Sequence, residues 1–68
     1  MTSEAEIIRR ERVRQEISLE VMAENTGIES DSLLLIEGGQ LVPDPLQLCS
    51  IAGALGIYPS DIRQEVKS

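Results

Sequence analysis

Leu48, Ile51, Ala52 and Leu55 recur at i, i+3, i+4 and i+7, the spacing that lines apolar side chains along one face of an α-helix. Ile8, Val13 and Ile17 are expected to face inward from a first helix and its exit, and Met22 and Ala23 from a second. Ile28, Leu33 and Ile36 serve a turn and a third helix, while Ile57 and Ile62 close the predicted core. No stretch alternates with period two for long enough to predict a strand. The pattern predicts an all-α fold.

Capping residues divide the chain into five short helices. Ser3 followed by Glu6 is a capping-box pattern and predicts a first helix over 4–15. Ser18 can cap a second over 19–25, ended by Gly27. A third over 30–37 stops at Gly38 and Gly39. Asp44 caps a fourth, with Pro45 at its first position and Gly56 at its close, and Pro59 opens a fifth over 59–66. Tyr58, beside that start, is expected to cover apolar neighbours.

The third helix carries an unusual run, Leu33 to Ile36, four consecutive aliphatic residues preceded by Asp31. At ~100° per residue, Leu33 and Ile36 flank the buried direction. Leu34 and Leu35 then point roughly 130° away from it on opposite sides, and Asp31 points outward. Two leucines are therefore expected on the surface.

The chain has 68 residues and is read as one domain, 1–68, with 41% hydrophobic and 26% charged residues, a globular composition. No apolar run approaches a membrane span, and "MTSEAEIIRR" lacks the apolar core of a signal peptide, so a cytoplasmic protein is expected. The single cysteine, Cys49, has no thiol or histidine to share a metal with and is expected to be a small buried hydrophobe. Histidine, phenylalanine and tryptophan are absent. Metal hydrolysis, Ser-His-Asp chemistry and aromatic base-stacking lose their usual residues, so the sequence predicts no catalytic residue, cofactor or metal.

Net charge is −6, and its distribution decides more than its sum. Arg9, Arg10, Arg12 and Arg14 lie in the first helix, Arg63 and Lys67 near the C-terminus, and no basic residue stands between Gln15 and Ile62. Pairs such as Glu6 with Arg10 at i,i+4 are expected to lace the exposed face of the first helix. Arg12 is the exception: it lies four residues after Ile8, at the edge of the buried stripe, and a partly buried arginine needs a carboxylate. Glu37, ending the third helix, is the expected partner.

From Arg12 to Leu55 the chain resembles, without a gap, the helix-turn-helix domain of the Cro and lambda-repressor (XRE) family, the likeness being strongest over 12–57. "ISLEVMAENTGI" is similar to the family's second helix and turn, with Ala23 and Gly27 at its small-residue positions. "IEGG" stands where the family has I-E-N-G, and "IAGALGI" matches its fourth-helix ending. The family's pairing of a first-helix arginine with that glutamate falls on Arg12 and Glu37. The resemblance implies a compact five-helix domain that lays its third helix in the major groove.

The positions that would touch DNA depart from the family. They are Ser18, Leu19, Ser30, Asp31 and Leu35, and only Ser18 keeps a phosphate-binding side chain. Gly38 replaces the asparagine of I-E-N-G, and the following loop reads Gln40, Leu41, Val42 in place of lysine or arginine. Phosphate contacts supply much of the affinity of such domains, so this surface is expected to bind DNA weakly or not at all. The same changes place Leu19, Leu34, Leu35, Leu41 and Val42 on one side, with Val21 beside them and Glu20, Asp31 and Asp44 as an acidic rim.

The sequence therefore predicts a non-catalytic regulator whose protein-interaction surface is Leu19, Asp31, Leu34, Leu35, Leu41 and Val42. Its expected partner is another protein, a transcription regulator that it sequesters or inhibits as an antiactivator or antirepressor would. The rival expectations are a sequence-specific DNA-binding repressor, with phosphate contacts from the first helix or from Arg63 and Lys67, and a homodimer that uses the leucines for itself.

Overall fold

The computed structural model describes residues 3–63, and among them the secondary structure is entirely helical. The helices are α1 (Glu4–Arg14), α2 (Leu19–Thr26), α3 (Ser30–Glu37), α4 (Pro45–Leu55) and α5 (Pro59–Ile62). Helix α5 ends at Ile62, because Arg63 takes an extended conformation with φ −108° and ψ 108°, so the predicted fifth helix stops earlier than expected. Residues 64–66, and Lys67 with them, lie outside the described residues.

Local chemistry sets the helix starts. Ser3 Oγ accepts from the Glu6 amide at 3.2 Å while Glu6 Oε1 accepts from the Ser3 amide at 3.3 Å, satisfying donors that the first turn leaves free. Ser18 Oγ caps α2 through the Val21 amide, and Asp44 and Gln47 close a reciprocal box at α4 behind Pro45. Helices α2 and α4 end at Gly27 and Gly56. The turn from α1 to α2 is made differently: Glu16 takes the left-handed conformation with φ 58°, and the Ile17 amide returns to Arg12 O. Gln15 reaches across the fold to donate to Leu55 O at 2.7 Å, closing a free carbonyl of α4.

The core comprises Ile8, Met22, Ile28, Leu33, Ile36, Leu48, Ile51, Ala52, Leu55 and Ile62, with Ile7, Ile17, Leu19, Ala23, Ala54 and Ile57 packed against it. It brings α2 against α3 and α4, α4 against α5, and α1 across α3, α4 and α5. Each helix thus buries one stripe and leaves the opposite face open.

Three expected burials fail for geometric reasons. Val13 is 54% exposed, because a residue five positions after Ile8 lies about 140° around the helix, and Ile7 takes the inward place instead. Cys49 is exposed, because it stands about 100° from Leu48, beyond the edge of the α4 stripe. Tyr58 is 76% exposed, its backbone amide donating to Asp61 Oδ2 at 2.9 Å to start α5, so most of the side chain faces solvent rather than covering apolar neighbours. The expected Glu6–Arg10 pair gives way to other bonds, Glu6 serving the α1 cap and Arg14 pairing with Glu11 at 2.7 Å.

Candidate protein-interaction surface

Helix α3 is anchored from behind. Leu33 and Ile36 are buried in the core, and Glu37 accepts two hydrogen bonds from Arg12, from Nε at 2.7 Å and from Nη2 at 3.0 Å. Arg12 Nη1 also donates to Ile17 O at 2.7 Å, so one guanidinium ties α1, the α1–α2 turn and the end of α3 together. The bond to Glu37 raises the Arg12 pKa above its ordinary value, against the opposing effect of burial. No buried side-chain nitrogen or oxygen among the described residues lacks a partner.

The outer face of α3 holds Leu34, 58% exposed, and Leu35, 43% exposed, on either side of the outward Asp31 direction. The loop that follows is folded back on the helix end. Leu35 O accepts from the amides of Gln40 at 2.9 Å and Leu41 at 3.2 Å, which holds Leu41 beside Leu35. Gly39 allows this reversal with φ 78°, a conformation that costs a residue bearing Cβ about 1 kcal/mol, and its α-carbon faces Ala5 of α1. Val42, next in the chain, is the most exposed of the group. The accessible surface of Leu34, Leu35, Leu41 and Val42 is on the order of 300 Å², the scale of the largest apolar patch on a typical monomer, which is often functional.

The other predicted residues divide. Leu19 is half-buried and packs on the core, so it adds less surface than expected, whereas Val21 is exposed. Ser18, the cap of α2, and Asp31 are exposed, and Ser30 is half-buried. Leu46 is 81% exposed and was not anticipated, although its place two residues before Leu48, about 200° around α4, carries the signal.

Two concavities flank the leucines. At the start of α3 an open depression is lined by Glu24, Glu29 and Asp31 with Ala23, Ile28 and Ser30. At its end a smaller apolar groove of about 250 Å³ runs between Ala5 of α1 and Ile36, Leu41, Val42 and Pro43. Arg63 closes the far side of this region, donating to Glu4 at 2.7 and 3.2 Å and to Pro43 O at 2.8 Å.

Positive charge sits elsewhere. Arg9, Arg10, Val13 and Arg14 lie on the outer face of α1 around a separate depression floored by Glu37. No three histidine, cysteine or carboxylate side chains are placed to hold a metal among the described residues, and no helix there is long and apolar enough to cross a membrane. Comparison of the chain with protein-family models and with curated proteins finds no match.

Proposed function

We propose that this protein is a non-catalytic regulator that binds another protein through α3 and the loop behind it, on a helix-turn-helix type of scaffold. The observation that carries the reading is the joint exposure of Leu34, Leu35, Leu41 and Val42 on one rigidly backed helix and loop. Burying about 300 Å² of aliphatic surface contributes several kcal/mol, at ~25 cal/mol per Å², before the costs of association. The groove of a DNA duplex offers such side chains little beyond a thymine methyl, and Asp31 meets phosphate repulsion there. The partner is a transcription regulator that the protein sequesters or inhibits, acting in the cytoplasm. That identification rests on small size, acidity and the resemblance of the chain to DNA-binding domains, which is an analogy of scaffold.

The test is a nuclease-treated pull-down from the native host's lysate, comparing wild type with Leu34→Asp/Leu35→Asp. A partner retained by the wild type, lost with the folded double variant and identified as a transcription regulator supports the reading. A partner captured equally by both removes α3 as the docking face.

A further inference from the structure

We infer that the segment docking on α3 is a basic amphipathic helix, with Lys or Arg flanking an aliphatic stripe. The inference rests on the protein-docking reading above and adds the chemistry of the partner.

Charge gives the first argument. From Gln15 to Ile62 the chain bears carboxylates and no basic residue; Arg12 reaches the end of α3 but is bound to Glu37, and Arg9, Arg10 and Arg14 lie around the separate depression on α1. A partner covering the start of α3 with carboxylates of its own brings them close to Glu24, Glu29 and Asp31, like charge against like. A partner with Lys or Arg meets Glu24, Glu29 and Asp31 around the depression at the start of α3. Acidic residues alone would say little. Here they stand beside a surface that is apolar for a different reason, the outward register of Leu34 and Leu35.

The order of features along α3 gives the second argument. Carboxylates lie at its start, Leu34 and Leu35 in its middle, and the apolar groove of Ile36, Leu41, Val42 and Pro43 beyond its end. The eight residues of α3 span about 12 Å, two turns of a facing helix. A facing helix thus sets its aliphatic residues at i, i+3, i+4 and i+7 on the leucines and in the groove. The basic residues on the flanks of that stripe nearest the start of α3 then meet Glu24, Glu29 and Asp31. Lys and Arg are also the side chains that neutralise phosphates, so docking of this kind and DNA binding by the same helix exclude one another.

A displayed library of short amphipathic helices tests this, with Leu, Ile, Met or Phe at the apolar positions and Lys, Glu, Gln or Ser at the flanking ones. Helices selected on the full chain are expected to be enriched in Lys at the flanks. Each is expected to bind about tenfold tighter than its Lys→Glu counterpart, with the difference narrowing as salt is added. Glu29→Lys/Asp31→Lys, two exposed substitutions, is expected to abolish that preference without unfolding the protein. Recovery of no binder, or of binders with no preference or a preference for Glu, overturns the inference. The docking reading is judged apart from it: charge-indifferent helices that lose binding to Leu34→Asp/Leu35→Asp leave that reading standing, whereas helices indifferent to both variants remove both.

Discussion

Arg12 and Glu37, 25 residues apart in sequence, meet through two hydrogen bonds of 2.7 and 3.0 Å between one guanidinium and one carboxylate. The Glu37 side chain is 3% exposed, so removing its partner strands a charge inside the fold. Arg12→Ala is expected to cost about 3–5 kcal/mol, comparable with the whole stability of so small a domain. Replacing both residues with methionine is expected to cost less than Arg12→Ala alone, because no charge is left behind. Urea unfolding of the three proteins checks the order. The pH sign follows from the raised Arg12 pKa: the pair's contribution through Arg12 is fully present below the ordinary arginine pKa and is lost only as pH rises through the higher folded value. Mildly alkaline solution should leave it intact.

Leu34→Asp/Leu35→Asp is expected to stay helical, losing about 1 kcal/mol from the poorer helix propensity of aspartate. Leu34→Gln/Leu35→Gln, which adds no charge near the end of α3, is expected to lose less. Thermal unfolding followed by circular dichroism measures both. In sedimentation equilibrium the wild type is expected to be monomeric at micromolar concentration, its net charge of −6 opposing self-association. A wild-type dimer dissociated by either double variant would reassign the leucines to self-association.

Fluorescence anisotropy with a random-sequence duplex is expected to show no binding at micromolar protein, even in low salt where phosphate contacts are strongest. Binding that weakens steeply with added salt would shift attention to Arg9 and Arg10 on α1 and restore the repressor alternative.

Glu16 holds φ 58°, where a side chain costs about 1 kcal/mol and glycine is at ease. Glu16→Gly is expected to raise stability by about 0.5 kcal/mol, the relief being offset in part by the greater freedom of glycine in the unfolded chain. A lower midpoint in urea would contradict this account of the turn.

Cys49 is exposed on the outer side of α4. Under native conditions it is expected to react with a thiol reagent as fast as in the urea-unfolded chain, to one label per molecule. Strong native-state protection would return it to the core.

Much of this arrangement was legible because it is local. Ser3 with Glu6, and Asp44 with Pro45 and Gln47, announce helix starts through side chains only three residues apart. The outward register of Leu34 and Leu35 likewise needs only the helical repeat and one buried neighbour. Arg12 was legible for a different reason, since a cation on a buried stripe demands a partner. Val13 and Cys49 show the limit of reading apolar residues as inward: each is hydrophobic, yet its angle places it outside the stripe. The left-handed turn at Glu16 and the reach of Gln15 to Leu55 O had no sequence signal, because they follow from how α1 meets α4. The apolar groove arises in the same way, from Ala5 and a loop more than thirty residues further along meeting across the fold.

The bonds from Arg63 to Glu4 and Pro43 O have a consequence for connectivity. They hold the first turn of α1 beside the residue that ends α5, so a short Gly-Ser bridge can join those points. New ends can then be opened at the surface turn between α4 and α5, giving a circular permutant with every helix intact. The same closeness suits the domain to insertion within a loop of another protein, whose two strands of chain would enter and leave at one place.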